Sequence, residues 1–167
     1  MANPFRPLKK LVFQKGGIGR SLSREETVER LNPISKALIE LTLYYDDAVQ
    51  RIGAPEIAAE LERHLKRARV DVGKINETIF SAGGVAYSGT DLDPEAFRAG
   101  EDEDEMLFRL LDLEQAFLEK VSAEFDLEPR EHQIRTQAVL ANVRANSEAR
   151  LAYLREITRK RRRPASV

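Results

Sequence analysis

The chain lacks several residue types on which common functions depend. It has no cysteine, which excludes disulfides, thiolate metal ligands and a cysteine nucleophile. It has no tryptophan and only two histidines, His64 and His132. No apolar run approaches the roughly 20 residues that a membrane span requires. These absences leave carboxylates, tyrosines and basic side chains as the groups that could carry chemistry.

The length and the N-terminal region indicate the class of protein. At 167 residues the chain has the size of one domain with a single core. The basic N-terminal region contains Pro4 and Pro7 and only a short apolar patch, which does not fit a signal peptide. We therefore expect a single-domain cytoplasmic protein of bacterial type.

Charge is balanced overall but unevenly distributed. The formal net charge is −1, yet residues 91–105 are strongly acidic and both ends are basic. The basic C-terminal residues are Arg159, Lys160, Arg161, Arg162 and Arg163. They are candidate contacts to phosphates of nucleic acid or anionic lipid, but cations equally suit the end of a helix. No aromatic residue is interleaved with them, so base stacking is not expected.

Apolar spacing predicts four long helices. Alternate steps of three and four residues, typical of a helix packed in a bundle, predict helices over about 23–52, 55–82, 103–126 and 129–161. Ser23 and Glu26 form a capping-box pattern, and Gly83-Gly84 predicts a helix end with positive φ. Asn32-Pro33 predicts either an N-cap followed by proline or a kink. We expect residues 1–22 to be a basic irregular arm and residues 163–167 a tail.

The four helices form two hairpins joined by a long connection, residues 84–103. A connection of this length is expected when the chain must return along the whole bundle before the second hairpin begins. Glu114 lies in the middle of the apolar stripe of helix three. The predicted inner face of helix four is formed by small residues and one isoleucine: Ile134, Ala138, Ala141, Ala145 and Ala152.

The arrangement resembles the ferritin-like superfamily. The residues that carry the resemblance are the segment from Tyr45 to Ile52 and the segment from Ile75 to Ile79 that leads to Gly83-Gly84. The resemblance covers residues 28–158 and implies an all-α, antiparallel four-helix bundle. In the di-iron members, two helices each supply a Glu and the other two each supply Glu-x-x-His.

Carried onto this chain, the resemblance implies a degenerate metal site. With Tyr45 as the family's inward tyrosine, the first Glu position is Leu38, and the helix-two pair is Ala68 and Asp71. Glu114 matches the Glu of helix three. On helix four Glu148 matches the Glu, and Leu151 stands where His is required. The candidate metal ligands are thus Glu114, Glu148 and Asp71, and no metal is expected at the centre.

Each candidate residue has a structural alternative. Glu114 is either a metal ligand or acid–base group, or a buried carboxylate paired with Arg144 or Tyr45. Glu148 is more simply explained by an intrahelical pair with Arg144. His64, four residues after Glu60, could bind iron or zinc, but we expect a solvated residue beside the seam. His132 is expected to be a surface residue.

Three functions remain open from the sequence. The first is a non-catalytic ferritin-like bundle without cofactor that acts through self-association or a protein partner. The second is an atypical oxidoreductase or iron-handling protein that uses iron or manganese. The third is a bundle that associates with DNA or anionic membranes through basic tails. A second apolar strip on helix one, formed by Leu43, Tyr44 and Val49, predicts a homo-oligomer, most simply a two-fold dimer.

Overall fold

Four long helices build the molecule. The computed structural model describes residues 22–126 and 133–163. Its helices are α1 (Arg24–Arg51), α2 (Pro55–Ser81), α3 (Glu103–Phe125) and α4 (Ile134–Thr158), with one 3-10 turn at Pro94–Ala96. The described residues contain no strand. The predicted all-α architecture of two hairpins and a long crossover is therefore confirmed.

The predicted ends of the chain lie largely outside the described residues. Of the arm, residues 1–22, the structure describes only Leu22, and of the tail, residues 163–167, only Arg163. Helix four was predicted to begin at residue 129, but residues 127–132 also lie outside the described part of the chain. The described α4 begins at Ile134.

Local sequence signals fix the helix ends. The Ser23 hydroxyl accepts from the Glu26 amide at 3.1 Å, and the Glu26 carboxylate accepts from the Ser23 amide at 2.8 Å. The capping box therefore starts α1 as predicted. At the end of α2, Gly83 has φ +82° and the Gly84 amide donates to the Ile79 carbonyl at 3.0 Å. This is the Schellman arrangement, in which a glycine adopts the left-handed conformation.

Pro33 lies inside a continuous α1, so Asn32 is not an N-cap. Its side chain instead holds the crossover. The Asn32 amide nitrogen donates to the Val85 carbonyl at 3.0 Å, and its oxygen accepts from the Tyr87 amide at 2.9 Å. Asn32 thus satisfies the backbone of the segment that follows Gly84.

The crossover returns along α1. After Asn32, Tyr44 packs edge-on against Phe97 with 5.3 Å between ring centroids. The Asp47 carboxylate then accepts from the Ala99 amide at 2.8 Å. Tyr44 therefore packs against its own chain. The apolar strip of Leu43, Tyr44 and Val49 is thus no longer an argument for contact with a second copy.

The helices pack as a square with the core along its centre. α1 packs against α2 and α3, and α4 packs against α3 and α2. Arg30, near the start of α1, pairs with Glu124 at the end of α3 at 3.6 Å. At the other end Arg51 of α1 donates to the Glu101 carbonyl before α3. These two contacts show that α1 and α3 run antiparallel.

Helix α4 presents a different face to the core from the one predicted. Ile134 is 86% exposed, and Ala138, Ala145 and Ala152 are also exposed. The buried residues of α4 are Thr136, Leu140, Val143, Ser147, Arg150, Leu151, Leu154 and Thr158. The prediction of an alanine face was wrong because alanine is small enough to be equally common on either side of a helix.

Candidate functional site

A buried carboxylate occupies the middle of the bundle. Glu114 of α3 is 0% exposed and receives four hydrogen bonds. Its Oε1 accepts from Ser147 Oγ at 2.6 Å and from Arg150 Nη2 at 3.0 Å. Its Oε2 accepts from Tyr45 Oη at 2.8 Å and from Arg150 Nε at 2.9 Å. Every acceptor position of the carboxylate is therefore used.

Arg150 of α4 provides the compensating charge. It is 0% exposed and donates two parallel N–H hydrogen bonds to Glu114. This bidentate geometry is the strongest form of an arginine–carboxylate pair. Burial alone would lower the pKa of Arg150, but the negative charge of Glu114 raises it. Its remaining nitrogen, Nη1, has no hydrogen-bond partner and lies 3.9 Å from Asp71 Oδ2. The guanidinium is thus a permanent cation between two carboxylates.

Asp71 of α2 forms the other side of the cluster. Its side chain is 1% exposed, and both its oxygens accept from Asn146 Nδ2, at 3.0 and 2.9 Å. Burial raises the pKa of Asp71, while the Asn146 hydrogen bond and the Arg150 charge oppose that rise. Asp71 is therefore a satisfied carboxylate with a raised affinity for protons.

Tyr45 closes the cluster from α1. It is 0% exposed, and its pKa is raised well above 10.0 by burial and by the neighbouring charge of Glu114. The phenol therefore stays protonated and donates to the carboxylate. Tyr45 was one of the two partners predicted for Glu114, and this prediction is confirmed.

The other predicted partner, Arg144, is wrong. Arg144 pairs with Glu148 at 3.3 Å on the exposed side of α4 and also contacts Asp126 at 3.3 Å. Glu148 is exposed, so its assignment as an inward ligand is wrong as well. The inward positions of α4 are Ser147 and Arg150, one residue before each position that the resemblance implied. The error comes from the weak apolar pattern of α4, which left its rotation undetermined within one residue.

His64 also differs from expectation. It was predicted to be a solvated residue, but its side chain is 8% exposed and its ring lies 5.3 Å from that of Tyr153. Its Nε2 is 3.3 Å from Glu60 Oε1 without a hydrogen bond. Burial lowers the pKa of His64, so the imidazole is held neutral. His132 lies outside the described residues.

The basic C-terminal residues are partly engaged within the chain. Arg161 pairs with Glu103 at 2.8 Å and with Asp104, and Arg163 pairs with Asp112. Arg159, Lys160 and Arg162 are exposed. Two of the five predicted phosphate contacts therefore already pair with carboxylates of α3.

Comparison with known proteins identifies the fold. No family model matches the chain. No curated protein matches it either. Among solved structures, it is similar to a bacterioferritin-related protein from Bacteroides fragilis, a dodecameric thioferritin. The TM-score is 0.65 at 18% sequence identity, over 89% of this chain and 91% of that one. The chain has the ferritin-like fold.

The residues at the centre of this fold do not fit a di-iron group. The inward pairs spaced for Glu-x-x-His are Ala68-x-x-Asp71 and Ser147-x-x-Arg150. A divalent cation at this position would be repelled by the fixed positive charge of Arg150. It would also have to displace the hydrogen-bond donors that occupy both oxygens of Glu114. Among the described residues, no three His, Asp or Glu side chains are grouped to hold a metal ion.

Sequence reasoning missed Arg150 and Ser147, the two α4 residues of the cluster. No signal in the sequence singles them out, because Arg150 is one of 27 basic residues. Ser147 and Arg150 have the i, i+3 spacing that the fold uses for paired ligands, which becomes visible once Arg150 is known to face inward.

In the part of the chain that the structure describes, none of the helices has the length and hydrophobicity of a membrane span.

Proposed function

We propose that this protein is a non-catalytic ferritin-like bundle that has lost its metal centre and acts in the cytoplasm through self-association or a protein partner. One observation carries the proposal. Arg150 lies among the inward residues from all four helices and is bound to the carboxylate that would otherwise be the best metal ligand.

The argument rests on charge. A di-iron centre is held by carboxylates whose negative charge the metal neutralises. Here the guanidinium neutralises Glu114 and faces Asp71, so it supplies to the bundle the positive charge that a metal would supply. A guanidinium has no redox chemistry and cannot lose its proton in a protein. The cluster is therefore suited to holding the four helices together and not to oxidising a substrate.

The comparison supports self-association. The similar Bacteroides fragilis protein is described as dodecameric. We propose that this chain is also a homo-oligomer, without assigning the number of copies.

The test combines metal content with mass in solution. The protein is expressed with iron and manganese supplied, purified beside a di-iron ferritin as positive control, and measured by elemental analysis. We expect far less than one transition-metal ion per chain and a light-scattering mass above the 18.9 kDa of one chain.

Three outcomes would count against the proposal, each in a different way. Stoichiometric iron or manganese would favour the oxidoreductase or iron-handling alternative. A light-scattering mass of one chain across micromolar concentrations would exclude self-association. Action through a protein partner would then be the only part of the proposal left. DNA or anionic-vesicle binding that disappears on removal of residues 159–167 would favour the third alternative.

A further inference from the structure

A surface groove between α2 and α4 has a lining of unusual charge. Its volume is about 510 Å³. It is lined by four cationic side chains, two amides, one valine and one carboxylate: Arg63, Lys66, Arg67, Lys74, Asn142, Asn146, Val70 and Asp71. The carboxylate is Asp71, which is turned inward with its side chain 1% exposed. The groove therefore offers positive charge with almost no exposed negative charge.

The cations are available for a ligand. Among the described residues, Arg67 and Lys74 form no ion pair, although their charges act at longer range on Asp71. Arg63 and Lys66 pair with Glu60 and Glu62 on their own helix, but Arg63 is 68% and Lys66 71% exposed. Exposed pairs of this kind are worth little and exchange readily for another anion.

The floor of the groove is the buried central cluster. Behind Asp71 lies the fully buried Arg150, whose Nη1 has no hydrogen-bond partner and lies 3.9 Å from Asp71 Oδ2. Both Asp71 oxygens accept from Asn146 and the Asp71 side chain is 1% exposed, so the carboxylate is turned away from the groove. The charge of Arg150 is balanced by Glu114, so the attraction for an anion comes from the four cations at the surface.

The shape indicates an elongated ligand. One face of α2 carries Arg63, Lys66, Arg67 and Lys74, and the first and last of them are about 16 Å apart along the helix. A single phosphate would meet one or two of these cations, whereas a chain of phosphates can meet all four. No aromatic side chain lines the groove, so it has no platform for stacking bases.

We propose that this groove binds a linear chain of linked phosphates through the phosphate oxygens. The cations neutralise successive phosphates, and Asn142 lies along the opposite wall as a hydrogen-bond donor. Nothing in the lining reads a base, so inorganic polyphosphate is the ligand that the groove fits best.

The experiment measures binding of fluorescent inorganic polyphosphate to the full chain by anisotropy. Four neutralised phosphates predict that affinity falls about fifty-fold between about 50 and 200 mM salt. The variant Arg67→Gln/Lys74→Gln removes two of the four contacts, so the same salt change should cost only about sevenfold. Its affinity at low salt should fall at least about tenfold.

The matched control is Arg109→Gln/Lys120→Gln, which removes two exposed cations from α3, outside the groove. It should bind as the unaltered protein does. Circular dichroism on both variants establishes that helicity is unchanged.

Competing ligands test the chemical class. Polyglutamate of equal charge should compete poorly, and an oligonucleotide with the same number of phosphates should bind no more tightly than polyphosphate. Equal losses of polyphosphate affinity in the α2 and α3 variants would overturn the proposal that the groove is the binding site. So would binding that depends only on residues 159–167, or an oligonucleotide that binds more than about tenfold tighter than polyphosphate.

Discussion

Glu114 and Arg150 form a buried pair whose two members depend on each other. Arg150→Met would leave Glu114 in the core with only Tyr45 and Ser147 as donors. Breaking a buried pair from one side costs about 3–5 kcal/mol of the free energy of unfolding. Replacing both, as Glu114→Leu/Arg150→Met, should cost clearly less than the sum of the two single changes, because the Glu114 charge is then not left unpaired. Asp71 loses the guanidinium in the Arg150 variant and in the double variant alike, so that loss cancels in the cycle.

Urea unfolding of the two single variants and the double variant measures this coupling. The exposed pair Arg144 and Glu148 is the matched control. Its double-mutant cycle should give no more than about 1 kcal/mol. If the cycle for Glu114 and Arg150 gave a value as small as the control, the central cluster would not hold the bundle together.

His64 should make stability depend on pH. Its pKa in the folded protein is lowered below 6.5 by burial, and the attraction of Glu60 only partly opposes this, while Arg150 and Arg63 add to it. The unfolded chain therefore takes up a proton first as pH falls. The stabilisation from His64 is complete above about pH 6.5 and is lost as pH falls toward the lowered native pKa.

The variant His64→Gln removes this titration. The free energy of unfolding of the unaltered protein should decline below pH 6.5 with a His64 contribution of at most about 1.4 kcal/mol per pH unit. In the variant the decline over that range should be shallower. An unchanged slope would mean that folding does not lower the pKa of His64.

Among the secondary-structure elements, the crossover is attached to α1 by a close contact at Gly84. A β-carbon there would overlap both γ-carbons of Val28. Gly84→Ala should therefore destabilise the protein by about 1–3 kcal/mol, the usual cost of inserting a methyl group into a packed site. Gly53, in the turn between α1 and α2, has no atom within 4 Å of the equivalent position and has no positive φ.

Gly53→Ala is therefore the matched control for Gly84→Ala. It should leave stability unchanged or raise it slightly, because alanine restricts the unfolded chain. Thermal unfolding of the two variants measures the difference. If both variants had equal melting temperatures, the crossover would not be packed on α1 at Gly84.

The helices differ in how well their sequences predicted them. In α1 to α3, branched and aromatic residues mark the buried face, so Leu38, Tyr45 and Glu114 were placed inward correctly. In α4 the inward face includes Ser147 and Arg150, and alanines lie outside. Hydrophobicity cannot set the rotation of such a helix. Its position is decided by the tertiary pairing of Arg150 with Glu114, which a single sequence does not reveal.

The same limit applies to His64. Its neighbours Glu62, Arg63 and Lys66 are charged and exposed, which suggested a solvated position. Yet His64 lies three residues after the buried Leu61 and next to Leu65, and the Tyr153 ring of α4 covers it. Whether a residue at the edge of a helix's apolar stripe is buried depends on the helix packed against it and not on the local sequence.

For the molecule as a whole, the proposed self-association needs a surface other than the strip first expected on α1. Tyr44 packs against Phe97 of its own chain. Among the described residues, four large apolar side chains are exposed: Val70, Phe80, Val85 and Ile134. Phe80, 61% exposed, and Val85, 82% exposed, lie on either side of the Gly83-Gly84 turn. Under the proposed self-association, burial of this pair between copies would contribute hydrophobic stabilisation.

Phe80→Glu and Val85→Glu should therefore lower the mass of the assembly in light scattering while leaving the helical circular dichroism unchanged, since neither side chain belongs to the core. Ala123→Glu, an exposed change on α3, is the matched control and should keep the mass of the unaltered protein. A glutamate on the joining surface must lose its hydration when copies meet, which opposes association by several kcal/mol. Full-size assemblies in both variants would place the joining surface elsewhere on the bundle. Smaller assemblies in the control as well would show that added negative charge alone dissociates the copies.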